Sequence, residues 1–273
     1  MKMNQNTKVK LCCCQKMPVI ALGVWQSGKD TKQAVLDALK AGYRHIDTAA
    51  CYGNEEAVGE AVKESGIPRE DIFITTKLWN DDIRVGNTHK ALLTSLQKLQ
   101  MDYVDLYLIH WPVEGYVEAY LEMEKLKEEG LVKSIGVSNF RKSHLQNLLS
   151  QVHKIPAVNQ IEINPQMQDE ETIQFCQDNK IVLEAWSPLG SGACLHMPAI
   201  QMIADKYHKS TAQIILRWLL QRHIVVLPKS VHKERIEENI DLFDFELTKE
   251  EMEIMNALNQ NKRTGPDPDH FDF

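Results

Sequence analysis

The stretch DLYLIH at residues 105–110 indicates the fold, because it is a largely apolar run that ends in a polar side chain, His110. Two similar runs precede it, YRHID at 43–47 and FITTK at 73–77. Near-continuous apolar runs are typical of parallel strands that are buried on both faces. Together with five further runs they predict eight parallel strands, at residues 19–23, 43–47, 73–77, 105–110, 134–138, 157–162, 181–186 and 224–227.

Amphipathic helical stretches lie between these runs. The first, at 30–41, has its apolar residues on one face and is followed by Gly42, a residue that commonly ends a helix. Eight strand–helix units predict an α/β fold, a (β/α)8 TIM barrel, with extra helices near 198–207 and 249–258. We expect residues 1–16 to close the bottom of the barrel. The other predicted helices lie at 54–65, 88–99, 118–129, 143–150, 169–178, 211–221 and 232–240.

The bulk composition excludes several functional classes. The hydrophobic share of 43% and charged share of 25% are ordinary for a globular enzyme, and a formal charge of -7 argues against a nucleic-acid partner. No apolar run reaches the length of a membrane span, and no signal core follows Lys2 and Lys8. We therefore expect a cytoplasmic protein with no membrane partner. We also expect a monomer, with residues 1–273 forming one domain.

The cysteines do not predict a metal site. Their spacing matches no zinc-ligand pattern, and in a chain without a secretion signal we expect free thiols. The run CCC at 12–14 is interpreted as a surface turn with reactive thiols. The six cysteines are Cys12, Cys13, Cys14, Cys51, Cys176 and Cys194.

Polar side chains at the strand ends carry the predicted chemistry. Asp47, Lys77 and His110 end three strands, and Tyr52 follows on a short loop, so a closed barrel would gather all four at one face. Tyr52 is the candidate general acid, and Lys77 would lower the pKa of its phenol. Asp47 would pair with Lys77, and His110 would donate a hydrogen bond to a substrate oxygen. The set suits protonation of a carbonyl oxygen.

Two rival enzyme classes fit the sequence less well. A doubly wound dinucleotide fold needs three glycines in its phosphate turn, but GSG at 190–192 is followed by Leu195 at the third position. A metal-dependent hydrolase could use His45, Asp47 and His110. We expect His45 and Asp47 to point to opposite sides of their strand, which disfavours that hypothesis.

Several longer motifs resemble those of the aldo-keto reductases, most closely the branch of diketogluconate reductases and protozoan-type prostaglandin F synthases. The resemblance implies an Asp47, Tyr52, Lys77 and His110 tetrad and the NADPH-dependent reduction of aldehydes and ketones to alcohols by hydride transfer. A non-catalytic NADPH-binding sensor or regulatory subunit stays open as an alternative. The motifs are HIDTAACYGNE at 45–55, ITTKLW at 74–79, DLYLIHWP at 105–112, GVSNF at 136–140 and LPKS at 227–230.

The same resemblance implies a set of residues that bind NADPH or NADP+. The Lys229 to Arg235 segment also offers cations and hydroxyl donors at a helix start, as a 2′-phosphate requires. The implied contacts are Ser138, Asn139 and Gln160 on the carboxamide, Trp186 on the nicotinamide ring, Ser187, Leu189 and Ser191 on the pyrophosphate, Lys229, Ser230, Val231 and Arg235 on the 2′-phosphate, and Glu238 and Asn239 on the adenine.

The substrate pocket is expected to be aromatic. Trp25, Trp79 and Trp111 follow the ends of the first, third and fourth strands, which suggests an apolar funnel for a small carbonyl substrate. Methylglyoxal, aromatic aldehydes, diketo sugars and a prostaglandin endoperoxide are candidates, and short flanking loops suggest an open pocket. Several departures from the family pattern matter: CCCQ at 12–15 replaces the usual hairpin turn, Ala21 and Val24 stand where Gly and Thr are common, and Cys51 suggests thiol-sensitive activity.

Overall fold

The computed structural model describes residues 3–12 and 14–273, and within them eight parallel strands close into a barrel. Consecutive strands are neighbours, and the first strand meets the last, where the amide of Gly23 donates to Pro228 O at 3.0 Å. The predicted TIM barrel is therefore confirmed. The barrel strands are β3 (Leu22–Gly23), β4 (His45–Asp47), β5 (Phe73–Leu78), β6 (Val104–Ile109), β7 (Val132–Ser138), β8 (Val158–Glu162), β9 (Val182–Trp186) and β10 (Val225–Leu227).

The register of the strands brings the predicted site residues to one rim. Asp47 pairs with Thr75, and Lys77 pairs with Leu108, so the C-terminal ends of β4, β5 and β6 lie side by side. Because all three strands are buried along their whole length, any polar side chain they carry must find a partner inside the protein.

Helices cover the outside of the barrel. The first one ends as its sequence predicts, with Gly42 in the left-handed conformation at φ 103 and its amide bonded to Ala38 O. A five-residue helix directly after β5 was not predicted, because one turn is too short to show helical periodicity. The helices are α1 (Thr31–Ala41), α2 (Glu55–Glu64), α3 (Asn80–Arg84), α4 (Thr88–Leu99), α5 (Tyr116–Glu128), α6 (Lys142–Leu149), α7 (Glu170–Asp178), α8 (Pro198–Tyr207), α9 (Thr211–Gln221), α10 (Lys233–Ile240) and α11 (Lys249–Asn256).

The N-terminal segment forms a hairpin at the bottom of the barrel. Its strands, β1 (Lys8–Lys10) and β2 (Lys16–Pro18), pair antiparallel although the usual turn sequence is missing. Cys14 adopts the left-handed conformation, at φ 67, that this turn needs. Leu11 is buried in a cluster with Phe73, at the N-terminal end of β5. The expected closure of the barrel bottom is confirmed for the described part of residues 1–16.

The cysteines are spread over the fold. Cys176 and Cys194 are buried free thiols, and Cys14 is exposed at the hairpin turn. Cys12, also exposed, lies 3.7 Å from Ile155 O, while Cys13 lies outside the described residues, so the interpretation of the 12–14 run stays a prediction in part. In the described chain, no helix combines the length and apolar character that crossing a bilayer requires.

Candidate active site

A buried lysine is the centre of the site. Lys77 Nζ donates to Asp47 Oδ1 at 2.6 Å, to Thr48 O at 2.9 Å and to Tyr52 Oη at 3.3 Å. Lys77 is 0% exposed and Asp47 is 3% exposed, so the ion pair lies away from water. Burial lowers the pKa of Lys77. The Asp47 carboxylate and the Tyr52 oxygen raise it by more than burial lowers it, so the net pKa is above its usual value. The ammonium therefore stays charged.

Tyr52 comes from a turn that follows β4. The segment Ala50–Tyr52 forms one 3-10 turn, and Gly53, in the left-handed conformation at φ 66, directs the chain into α2. Burial raises the pKa of Tyr52 to about 12, although the neighbouring Lys77 lowers it. Lys77 therefore lowers the pKa of Tyr52 as expected, but desolvation of the phenolate and the Asp47 charge outweigh this effect.

His110 follows β6 and is neutral. Burial and the charge of Lys77 lower its pKa well below the usual value. Its ring centroid lies 5.7 Å from that of Tyr52 and 5.2 Å from that of Trp79. The four predicted tetrad residues are thus gathered at one rim, as the strand-end argument expects.

Cys51 contacts the imidazole ring of His110. Its Sγ lies 3.6 Å from His110 Nδ1, and burial raises the pKa of this thiol to about 11, so the thiol keeps its proton. In the tautomer in which this thiol donates to Nδ1, the ring proton of His110 is on Nε2. His110 can then act as a neutral hydrogen-bond donor. The raised pKa argues against a reactive thiolate and so against the predicted thiol-sensitive activity.

The barrel interior below the tetrad is polar. Gln160 Nε2 donates to Asp47 Oδ2 and to Glu184 Oε2, both at 2.8 Å. His45 Nε2 lies 4.0 Å from Glu184 Oε1, so His45 and Asp47 both point into the barrel. The expectation of opposite faces is wrong, because residues two apart on a strand share a face. Within residues 3–12 and 14–273, no three His, Cys, Asp or Glu side chains are grouped as metal ligands.

A hydrogen-bonded cluster joins the residues expected around a nicotinamide. Trp186 Nε1 donates to Asn139 Oδ1 at 2.8 Å, and Asn139 Nδ2 donates to His110 O at 2.9 Å. Ser138 Oγ donates to Gln160 O at 2.8 Å. Asn139 holds this geometry in the left-handed conformation, at φ 64. The cluster forms one wall beside the tetrad, with an indole, amides and a hydroxyl along it.

The C-terminal segment packs against Trp186. Glu162, buried at the end of β8, accepts from Thr264 N at 2.7 Å and from Gly265 N at 3.2 Å. These bonds place Gly265 so close to the indole that a Cβ there would lie 2.3 Å from Trp186 Cη2. Only glycine fits at this contact without displacing the ring.

Replacing Gly265 with alanine is expected to move Trp186 and weaken NADPH binding about tenfold, the effect of ~1.4 kcal/mol of overpacking at the ring. The measurement is the Kd for NADPH by quenching of tryptophan fluorescence. Pro266→Ala, a change of similar size at the exposed next residue, is the control and should bind as the wild type does. An unchanged Kd in the glycine variant would contradict a role for this contact.

The residues expected around the phosphates lie on two loops. After β9, Ser187 and Ser191 are in the left-handed conformation, and Ser191 N donates to Ser187 Oγ at 3.1 Å. After β10, Ser230 Oγ accepts from His232 N at 3.0 Å and so shapes the start of α10. The remaining predicted residues divide by exposure: Lys229, Arg235 and Glu238 are exposed, Val231 and Leu189 are half-buried, and Asn239 is buried. The Glu238 carboxylate accepts from Ser210 Oγ.

Aromatic rings line the space above the tetrad. Trp25 is 51% exposed and its ring lies 4.8 Å from that of Tyr52, at the mouth of the site. Phe273, which sequence reasoning missed, stacks on Trp79 with the centroids 5.8 Å apart and meets Trp111 edge-on at 5.2 Å. The C-terminal segment is short, as expected, yet it adds a wall to a pocket that was expected to be open. The aromatic sequence FDF at 271–273 was the available signal.

The barrel, the tetrad and the adjoining amide–indole wall define an α/β-barrel oxidoreductase. The sequence pattern of the Aldo/keto reductase family matches residues 19–260. The chain therefore belongs to the aldo/keto reductase family, and it is an NADP(H)-dependent enzyme that reduces carbonyl groups.

Relatives agree with the branch that the motifs indicate. The chain is 49% identical to methylglyoxal reductase DkgA of Escherichia coli over 271 residues, which cover 97% of this chain and 98% of the relative. It is 47% identical to the 9,11-endoperoxide prostaglandin H2 reductase of Trypanosoma cruzi over 262 residues, which cover 94% of this chain and 93% of that protein.

Solved structures agree on the fold. The aldo-keto reductase MGS-M4 from a deep-sea metagenome library superposes with a TM-score of 0.94 at 46% identity, covering 97% of this chain and 100% of its own. The Bombyx mori aldo-keto reductase in complex with NADP gives a TM-score of 0.92 at 39% identity, covering 98% and 97%.

Proposed function

We propose that this protein reduces small aldehydes and ketones with NADPH and that Tyr52 protonates the carbonyl oxygen. The observation that carries the proposal is the contact of the buried Lys77 ammonium with both Asp47 and Tyr52. Burying an ion pair costs desolvation energy, so the presence of this pair needs a reason other than packing. It places a positive charge next to the phenol that would have to become a phenolate.

The residues act on a carbonyl substrate in complementary ways. His110 donates a hydrogen bond from Nε2 to the carbonyl oxygen and orients it, while Tyr52 Oη points at the same oxygen. When bound, NADPH would supply the hydride that the carbonyl carbon receives. As the oxygen becomes an alkoxide, it takes the Tyr52 proton, because an alkoxide is a far stronger base than a phenolate. Lys77 stabilises the phenolate until water returns a proton.

The cofactor is proposed to lie along the wall described above. Trp186 would stack on the nicotinamide, and Ser138, Asn139 and Gln160 would hold its carboxamide. Ser187, Leu189 and Ser191 would contact the pyrophosphate, and Glu238 and Asn239 the adenine. The Glu238 carboxylate accepts from Ser210 Oγ, so an adenine contact there competes with that hydrogen bond. The 2′-phosphate would lie among Lys229, Ser230, Val231 and Arg235, at the start of α10, where amides and cations attract anions.

Removing the two cations should cost NADPH more than NADH. The double variant Lys229→Met, Arg235→Met is expected to raise KM for NADPH about thirtyfold, or ~2 kcal/mol, because charged hydrogen bonds to a phosphate are lost. KM for NADH, which has no 2′-phosphate, should stay unchanged. Lys233→Met, an exposed lysine of α10 that pairs with Glu237 at 3.8 Å, is the control. Equal losses with both cofactors would contradict this phosphate site.

The aromatic pocket favours small or flat carbonyl compounds. Trp25, Trp79 and Trp111 offer apolar surface, and methylglyoxal, aromatic aldehydes, diketo sugars and a prostaglandin endoperoxide are the candidate substrates. We also propose a cytoplasmic monomer in which residues 1–273 form one catalytic domain. The test is oxidation of NADPH with methylglyoxal or 4-nitrobenzaldehyde. Turnover with either supports the proposal, and NADPH binding without turnover on any carbonyl compound would replace it with a sensor function.

A further inference from the structure

A second buried carboxyl group lies below the tetrad. Glu184, the central residue of β9, is 0% exposed and pairs in register with Gln160 of β8 and Val225 of β10. None of the tetrad reactions described above uses it. A buried glutamate at the centre of a barrel has a desolvation cost, so its contacts need an explanation.

Glu184 fixes the orientation of one amide. Gln160 Nε2 carries two hydrogens, and it donates one to Glu184 Oε2 and one to Asp47 Oδ2, each at 2.8 Å. Both donors are therefore turned into the barrel. The amide oxygen of Gln160 is left as an acceptor on the other side. With Glu184 present, flipping the Gln160 amide by 180° breaks both hydrogen bonds. Without Glu184, the same flip would break only the bond to Asp47.

The charges around Glu184 set its ionisation. From β4, Asp47 and His45 face it; from β5, Lys77 does; β8 contributes the neutral Gln160 and β10 the apolar Val225. Burial and the Asp47 carboxylate raise the pKa of Glu184 to about 8, and burial lowers that of His45 to about 3. The interior thus holds one ammonium against one carboxylate at neutral pH, and Glu184 adds a second negative charge above its pKa.

We propose that Glu184 is a positioning residue beneath the nicotinamide: it holds the Gln160 amide in one orientation, and the charge it gains at alkaline pH favours binding of NADP+ over NADPH. This inference rests on the proposed function, which places the carboxamide at Gln160. The nicotinamide ring of NADP+ is positively charged, whereas that of NADPH is neutral. A buried negative charge nearby therefore stabilises only the oxidised form.

The test measures the Kd of each cofactor between about pH 6.5 and about pH 9.5. In the ratio of Kd for NADPH to Kd for NADP+, the effect of 2′-phosphate ionisation cancels, because both forms carry that group. In the wild type this ratio is expected to rise about tenfold with pH, which corresponds to a change of about one unit in the pKa of Glu184 when NADP+ replaces NADPH.

Two variants separate this effect from a general loss of structure. In Glu184→Gln, which keeps the shape but cannot ionise, the ratio is expected to be constant with pH. Glu124→Gln removes a different buried carboxyl, which belongs to α5 and accepts from His153 N at 2.9 Å; it should keep the wild-type pH dependence.

A ratio that still rises in Glu184→Gln would overturn the inference. A constant ratio in the wild type would overturn it as well, and that result does not depend on whether the variant folds. If the wild type turns over NADPH with carbonyl substrates while the ratio stays constant, only this inference fails. Absence of both NADPH binding and turnover would overturn the proposed function and the inference together.

Discussion

Replacing Tyr52 with phenylalanine is expected to lower kcat for carbonyl reduction about a thousandfold, within the range that a general acid contributes. The variant keeps the ring that packs against Trp25 and His110, with centroids 4.8 and 5.7 Å away, and loses only the hydroxyl. The fold and the cofactor site should therefore be intact. The measurement is single-turnover oxidation of bound NADPH at saturating aldehyde.

The Kd for NADPH is the control for the tyrosine variant, and it should change less than twofold or so. Retention of more than about a tenth of the wild-type kcat would contradict the assignment of Tyr52 as the proton donor. In that case His110, the other polar group facing the same oxygen, would become the candidate acid.

Replacing Lys77 with methionine should abolish activity and also destabilise the fold. Asp47 is 3% exposed, and without Lys77 its carboxylate would be buried with no cation beside it. Breaking a buried pair in this way costs about 3–5 kcal/mol. The measurement is the free energy of unfolding from denaturant titration, alongside kcat.

A double variant separates the two effects of Lys77. Lys77→Met with Asp47→Asn removes both charges, so much of the lost stability should return, while activity should not, because the phenolate still lacks its ammonium. Recovery of activity in the double variant would show that Lys77 serves only the fold. A single variant as stable as the wild type would show that the carboxylate finds another partner.

The sequence was sufficient to place the tetrad, because position along a strand decides which rim a residue reaches. Asp47, Lys77 and His110 end apolar runs, and runs of this kind leave little freedom in where a strand ends. The same reasoning failed for His45, which was placed on the wrong face although it lies two residues from Asp47.

Energies and long-range contacts could not be predicted from the sequence. The pKa of Tyr52 is raised because burial outweighs the charge of Lys77, and neither quantity can be read from residue order. Glu184 belongs to no motif, and within VLEAW it is one acid in a strand pattern. Phe273 reaches Trp79 across almost two hundred positions of the chain, so only the folded structure reveals that contact.

The central claim is direct hydride transfer to a carbonyl carbon at the Tyr52 site. The measurement that tests it most directly uses NADPH deuterated at C4, on one face at a time, with an aldehyde substrate in ordinary water. We expect deuterium from one of the two faces to appear on the carbinol carbon of the product, and none from the other. An alcohol without deuterium from either face would contradict hydride transfer from the cofactor to the substrate.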